Sequence, residues 1–291
     1  MISMSIERGF SLLKKIIKAM IPPILLRLKH IGAPFYGIKG EFSSWQEAED
    51  TLQRDGLQDY AADNILQTVW KAVQAVREGK VEFERDGVLF YEKDYNYPLL
   101  AALFYSLASI GKSVNILDFG GSLGSTYYQN RMLLAGLGMN VHWNIVEQEN
   151  FVELGRNELP EIQFYSSIEE FCRSGKTADI LLLSSVLQYF DEPYRYIERF
   201  LDAGFKYILV DRTVFNFDEE QDRIAVQYVP PEIYEAQYPI WLLSYEKVMR
   251  MMRNAGYKEV CRWDSFDRMP VKDSFFQQRT LISKGFLLKR R

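Results

Sequence analysis

Histidine and cysteine are almost missing from this 291-residue chain, with two of each. Cys172 and Cys261 are too few for a disulfide framework or a four-thiolate zinc site, which favours a reducing, cytoplasmic compartment. Only His30 and His142 are available as neutral-pH imidazole bases. His142 falls inside a strand pattern and His30 in a basic segment, so both read as structural. No His, Cys and carboxylate cluster has metal-ligand spacing, so no metal is expected.

Long apolar runs are also lacking. In the first 33 residues the longest uncharged run is 19–26, eight residues against the roughly 20 needed to cross a bilayer. The same segment lacks a clear small-residue cleavage site, and its positive charges lie among its apolar residues, so it does not read as a signal peptide. Overall, 47% apolar and 25% charged residues exclude disordered, collagenous and polytopic membrane chains. The length fits one large domain with an attachment, or two modest domains.

Charge is unevenly distributed. Six cations against Glu7 give residues 1–33 a charge of +5, which leaves −9 of the net −4 on the remainder. An acidic body argues against a nucleic-acid partner, because neutralising phosphates needs a basic face. In the leader, Phe10, Leu13, Ile16, Ile17, Met20 and Ile24 recur at helical spacing with Lys14, Lys15 and Lys18 between them. Two readings remain open: a helix packed on its own chain, or peripheral contact with anionic lipid at the inner membrane face.

Residues 45–79 read as helical, 81–97 as aromatic with weak strand character, and Pro98 opens a helix over 99–110. Beyond Gly111, short β-branched runs alternate with amphipathic stretches, the pattern of βαβ units. Strands are predicted at 114–119, 141–147, 163–165, 180–184, 207–211, 257–263 and 286–289. The expected fold is α/β, Rossmann-like and doubly wound, with a mostly parallel seven-stranded sheet over 93–291. Residues 1–92 are expected to form a helical N-terminal extension or cap.

The most informative stretch is Asn115-Ile-Leu-Asp-Phe-Gly-Gly-Ser-Leu-Gly-Ser125. A strand ends near Asp118, and Gly120, Gly121 and Gly124 then let the backbone turn and approach a ligand, with a helix N-terminus behind them. A dinucleotide loop would need glycine where Phe119 stands, and a P-loop would need a lysine that is absent. What remains is Asp118-x-Gly120-x-Ser122-x-Gly124. Glu147 ends the next strand, 23 residues beyond Gly124, where a carboxylate can accept both ribose hydroxyls of a nucleoside.

These residues resemble the class I S-adenosylmethionine-dependent methyltransferases, with Ser122 in place of the usual middle glycine. Together with His142-Trp, Ser184-Ser-Val-Leu-Gln-Tyr189 and Val210-Asp-Arg-Thr213, they resemble more narrowly a methyltransferase family encoded among bacterial surface-polysaccharide (O-antigen) genes. The resemblance covers roughly 93–291. It implies S-adenosyl-L-methionine as cofactor, bound by Asp118, Gly120, Gly121, Ser122, Gly124, Glu147, Ser166 and Ser185.

It also implies a small-molecule or glycan acceptor at the strand ends. Asp211 is expected there as base or orienter, Arg212 as ligand for an anionic group on the acceptor, and Tyr189 beside the reacting centre. Tyr228, Tyr238 and Trp241 belong to a set of aromatics suited to sugar faces, and 226–239 reads as a proline-rich acceptor wall or lid. The expected activity is O-methylation of a sugar hydroxyl. The alternative is a catalytically silent methyltransferase-like module, and the oligomeric state is left open. Gly120→Val is expected to abolish cofactor binding while sparing the fold.

Overall fold

The structure, a computed structural model, describes residues 35–54, 63–216, 220–231, 233, 236–272 and 278–291. The basic amphipathic leader lies outside the described residues. In chain order the elements are β1 (Gly37–Phe42), α1 (Trp45–Arg54), α2 (Asp63–Arg77), β2 (Phe83–Arg85), β3 (Val88–Phe90), α3 (Tyr97–Ile110), β4 (Ser113–Phe119) and α4 (Ser125–Ala135). There follow β5 (Asn140–Val146), α5 (Glu149–Glu158), β6 (Gln163–Tyr165), α6 (Ile168–Arg173), β7 (Ile180–Ser184), a 3₁₀ turn (Leu187–Tyr189), α7 (Pro193–Ala203) and β8 (Tyr207–Thr213). The chain ends with β9 (Phe215–Asn216), β10 (Arg223–Tyr228), β11 (Gln237–Ser244), α8 (Tyr245–Asn254), β12 (Tyr257–Lys272) and β13 (Gln278–Arg290).

One sheet runs β6-β5-β4-β7-β8-β13-β12-β1-β10-β11-β9, and β2 and β3 form a separate hairpin. The first five strands are mutually parallel. The chain lays β4, β5 and β6 outward on one side, then returns to place β7 and β8 on the other. Strand order therefore reverses beside β4, which leaves a crevice at the carboxyl ends of β4 and β7. β13 is wedged between β8 and β12 and runs antiparallel to both.

Burial explains the apolar character of the parallel half. Ile180 and Leu182 of β7 join one core cluster with Val69, Leu103 and Ile116. Leu181 and Leu183, pointing the other way, join a second with Ile197, Phe200 and Val248. A strand covered by helices on both faces needs a continuous apolar run rather than an alternating one. Local signals set the helix starts: Asn96 Oδ1 accepts from Leu99 N–H, with Pro98 in the first turn of α3, and Ser244 Oγ accepts from Lys247 N–H at α8.

All seven expected strands are present, but the sheet has eleven strands of mixed direction, not seven. β1, β9, β10 and β11 are the additions. The stretch expected as a helical cap contributes α1 and α2, and also β1, which pairs with β10 and β12 inside the main sheet. Residues 226–239, expected as a proline-rich wall, supply the ends of two paired strands, with Pro239 opposite Val226. Among the described residues β9 pairs with β11 at Leu243 and Ser244, so the described edge of β11 calls for no ladder donor from Pro239. Residues 36–291 form one unit.

Candidate functional site

The loop after β4 turns through left-handed backbone at Gly120 (φ 71°), Ser122 (φ 52°) and Gly124 (φ 92°). It rests on the side chain that precedes it. Asp118 is buried, its Oδ2 accepts from Trp143 Nε1 at 3.1 Å, and a Cβ on Gly121 would stand 2.6 Å from its carboxyl carbon. Burial pushes Asp118 up to about 7, against the Trp143 hydrogen bond, and the charge of Glu147 adds to the rise. The Trp of the His142-Trp pair thus holds the acid that carries the loop.

Glu147 follows β5 and faces the same loop. Its Oε2 accepts from Ser122 N–H at 3.1 Å and its Oε1 from Gln148 N–H at 3.0 Å. A carboxylate offers about four lone-pair sites, so both oxygens keep capacity for a ligand's hydroxyls. Burial raises its pKa, opposed by the two backbone donors. Gly124 caps α4 and a Cβ there would meet Ile162 at 2.5 Å. Its job is close helix packing, and it does not line the cavity.

A cavity of about 920 Å³ opens at these strand ends. Its wall takes Asp118 to Ser122 at the end of β4, Glu147 and Gln148 after β5, Ser166 after β6, Ser184 to Val186 at the end of β7, and Arg212 of β8. Within the described residues, four non-glycine residues have positive φ: Asp86, Ser122, Ser185 and Arg212, at 52° to 55°. All four line this cavity. Such backbone costs of order 1–3 kcal/mol per residue and concentrates where function demands a particular geometry.

Of the residues expected to bind cofactor, Asp118, Gly120, Gly121, Ser122, Glu147, Ser166 and Ser185 line the cavity and Gly124 stands behind it. Ser166 is tied by its N–H and hydroxyl to Glu170 Oε2, while Ser167 Oγ caps α6 through Glu170 N–H. Ser185 N–H donates to the Asp211 carbonyl at 2.9 Å, and its hydroxyl accepts from Gln188 Nε2. Tyr189 lines the cavity, donates to Gln227 Oε1 at 2.9 Å and packs edge-on against Tyr238.

The structure places Asp211, expected as base or orienter, in the interior. It is fully buried and absent from the cavity wall. Its carboxylate accepts from Asn96 Nδ2 (2.6 Å), Trp263 Nε1 (2.9 Å) and Ser265 Oγ (3.1 Å). Burial raises its pKa, opposed by the Trp263 and Ser265 hydrogen bonds and by the charge and backbone N–H of Arg212. Asp211 is a junction that ties the start of α3 and the strand β12 to the end of β8.

Arg212 does reach the cavity, but its charge is already met. Its Nη2 lies 2.6 Å from Asp86 and its Nε 2.7 Å from Asp267, and its guanidinium stands 5.4 Å from the Phe266 ring centroid. Burial opposes the cation, and the two aspartates more than offset this, holding its pKa well above the usual value. The anionic acceptor group expected at Arg212 therefore finds two protein carboxylates in its place.

Asp86 sits at the turn between β2 and β3, and β2 also delivers Glu84, a buried carboxyl bonded to Ser125 Oγ at the start of α4 and to Gly87 N–H. Burial pushes Glu84 up to about 7, against both hydrogen bonds. Neither acid was read from the sequence; the Glu-Arg-Asp-Gly turn was the available signal. Among the described residues no group of three His, Cys, Asp or Glu is placed to hold a metal ion. No described helix is long and apolar enough to cross a membrane.

No protein-family model matches the chain, and no curated protein matches its sequence. Solved structures similar to it include the N-terminal domain of EvdMO1 in the presence of SAH and D-fucose, at 15% identity and TM-score 0.43, covering 75% of this chain and 97% of that one. A 1,6-didemethyltoxoflavin-N1-methyltransferase from Burkholderia thailandensis is similar at 13% identity and TM-score 0.37, over 88% and 94% of the two chains. The glycopeptide N-methyltransferase MtfA, complexed with sinefungin, gives 11% identity and TM-score 0.40, over 66% and 94%. At these values the functional reading has to stand on the residues of the site.

Proposed function

We propose that the chain is an S-adenosyl-L-methionine-dependent methyltransferase whose acceptor is a hydroxyl of a sugar in a surface glycan or its precursor. The observation that carries the cofactor half is the Ser122 N–H to Glu147 hydrogen bond. It brings a left-handed, lysine-free glycine loop and a carboxylate with unused acceptor sites to one wall at the strand-order reversal.

The residues fit such a ligand. The cavity volume lies in the range of small-molecule sites. Among the described residues its lining holds six acids and two arginines, which suits a cationic sulfonium better than a polyphosphate. Gly120 and Gly121 would give the loop backbone its close approach, Glu147 would take the ribose hydroxyls, and Ser166 and Ser185 would border the two ends of the nucleoside. When bound, the cofactor supplies a methyl group already activated by its sulfonium.

The chain's own work is then alignment and proton handling. Tyr189, fixed by Gln227, and Ser185, fixed by Asp211, hold one side of the reacting space. Arg212 holds the Asp86 and Asp267 carboxylates in place at the wall, where either can accept the hydroxyl proton of an acceptor. Asp211 sets the position of Arg212 without touching substrate.

Calorimetric titration of the full chain with S-adenosylmethionine and S-adenosylhomocysteine tests the reading. Saturable binding is expected, weakened about 10- to 100-fold in Glu147→Ala, the scale of losing charge-assisted hydrogen bonds of about 1.5–3 kcal/mol. A folded protein with no heat from either ligand would refute it.

A further inference from the structure

The cavity has a second wall that the parallel half of the sheet does not build. It consists of Tyr36 and Gly37 at the start of β1, Trp45 and Glu49 one turn apart on α1, and Gln227 and Tyr228 at the end of β10. Gly37 and Tyr228 are register partners across the β1–β10 pair. This places Tyr36 beside the Tyr228 end of β10, and α1 follows β1 directly.

Trp45 is held rigidly. Its ring stacks on Trp241 of β11 with centroids 6.2 Å apart and planes 16° apart, and its Nε1 donates to Glu49 Oε1 at 2.9 Å. Because that N–H is already used, what Trp45 presents to the cavity is apolar ring surface. Glu49 Oε2 has no partner among the described residues, and like Trp45 it is half-buried on the wall. A fixed aromatic surface next to a fixed, partly free carboxylate is what a ring with an apolar C–H face and a hydroxyl edge requires.

Charge narrows the ligand further. The acids of the described lining outnumber its arginines, and Arg212 is neutralised by Asp86 and Asp267. The remaining cation, Arg268, is exposed. A phosphate attached to the ring would meet net negative potential with no buried cation to receive it.

We propose that Trp45 and Glu49, with Tyr36 and Tyr228 beside them, form the acceptor subsite, and that it takes an uncharged pyranose ring carrying no phosphate. This rests on the methyltransferase reading for the reaction, but the subsite itself is defined by residues outside the glycine-loop wall. An acceptor of this kind is supplied by a glycosyl transfer that has already discharged the nucleotide.

The test uses saturation-transfer NMR on the full chain with a panel of neutral methyl hexopyranosides and methyl 6-deoxyhexopyranosides, alongside glucose 1-phosphate and benzyltrimethylammonium. At least one neutral glycoside is expected to bind, with transfer strongest to the C–H protons of one ring face. Trp45→Ala should weaken it tenfold or more and Glu49→Gln about threefold, while Trp45→Phe, which keeps the ring and the packing on Trp241, should retain most of it. S-adenosylhomocysteine affinity, read in the same samples, should stay within twofold throughout.

Binding of no neutral glycoside, preference for the phosphate or the ammonium, or glycoside binding indifferent to both Trp45→Ala and Glu49→Gln would overturn the subsite. Failure of the wild-type chain to bind S-adenosylhomocysteine would instead overturn the cofactor reading, with the glycoside result still readable alone.

Discussion

Asp118→Asn isolates the charge that the glycine loop stores beneath itself. The wild-type carboxyl has its pKa raised by burial from 3.8 to about 7. A raised acid pKa means that the folded state holds a proton the unfolded state has released, so stability falls as pH rises between the two values. At 1.36 kcal/mol per pKa unit the full penalty, present above pH 7, is about 4 kcal/mol. Asparagine keeps an oxygen for Trp143 Nε1 but adds an amide group whose burial costs about 1–2 kcal/mol. The variant is therefore expected to be about 2–3 kcal/mol more stable than wild type at pH 8.5. At pH 4 the advantage should be gone, because the folded wild type is then already neutral. Urea unfolding at half-unit steps from pH 4 to 9 reads the difference directly. Parallel stability curves for the two proteins would refute the buried, titrating loop acid. The same variant should bind a sulfonium ligand less well at pH 8.5, since the charge that destabilises the empty loop is the one a cation would favour.

Gly120→Ala should lower stability by about 1–2 kcal/mol, because φ is 71° and a Cβ would stand 2.5 Å from Val186 Cγ2. Thermal unfolding that left the midpoint unmoved would disprove this, and Gly120→Val should damage the fold as well as the site rather than sparing it. Asp211→Ala strands three donors and is expected to cost about 3–5 kcal/mol, with Asp211→Asn losing less than half as much; chemical denaturation ranks the two, and equal losses would contradict the three-donor junction. Arg212→Met leaves Asp86 and Asp267 facing each other, and should cost about 2 kcal/mol, discounted for the partial exposure of Asp86. Adding Asp86→Asn should recover part of that loss; a double mutant no better than Arg212→Met would remove the coupling.

The parallel half was legible because local chemistry and tertiary environment agree there. Ile180 to Leu183 is an apolar run with few alternatives to a strand covered on both faces. Asp118 through Gly124, followed by Glu147, encodes a backbone path in residue types, since left-handed turns leave few choices but glycine and small polar side chains. The added strands carry weaker local signals. Gly37 to Phe42 contains two glycines, and β11 carries Pro239, both of which read against strand until the neighbouring pairings are known. Asp211 illustrates a different limit. Its sequence position at a strand end was right, but whether such a carboxylate faces the cavity or the interior depended on Asn96, Trp263 and Ser265, which lie 115, 52 and 54 residues away.

That limit bears on how the two walls divide the labour. The loop wall is built from short runs of consecutive residues at strand ends, so its chemistry is written locally in the sequence. The opposite wall joins residues near 36–49 to residues near 227–228, and it exists only because β1 crosses into the sheet beside β10. No short motif can encode such a surface, and its aromatic residues look individually like core. Discrimination between acceptors is expected to map to Trp45, Glu49 and Tyr228. If exchanging those residues left acceptor preference unchanged while substitutions at Tyr189 or Arg212 redirected it, both recognition and alignment would belong to the loop wall, and β1 with α1 would be structural cover.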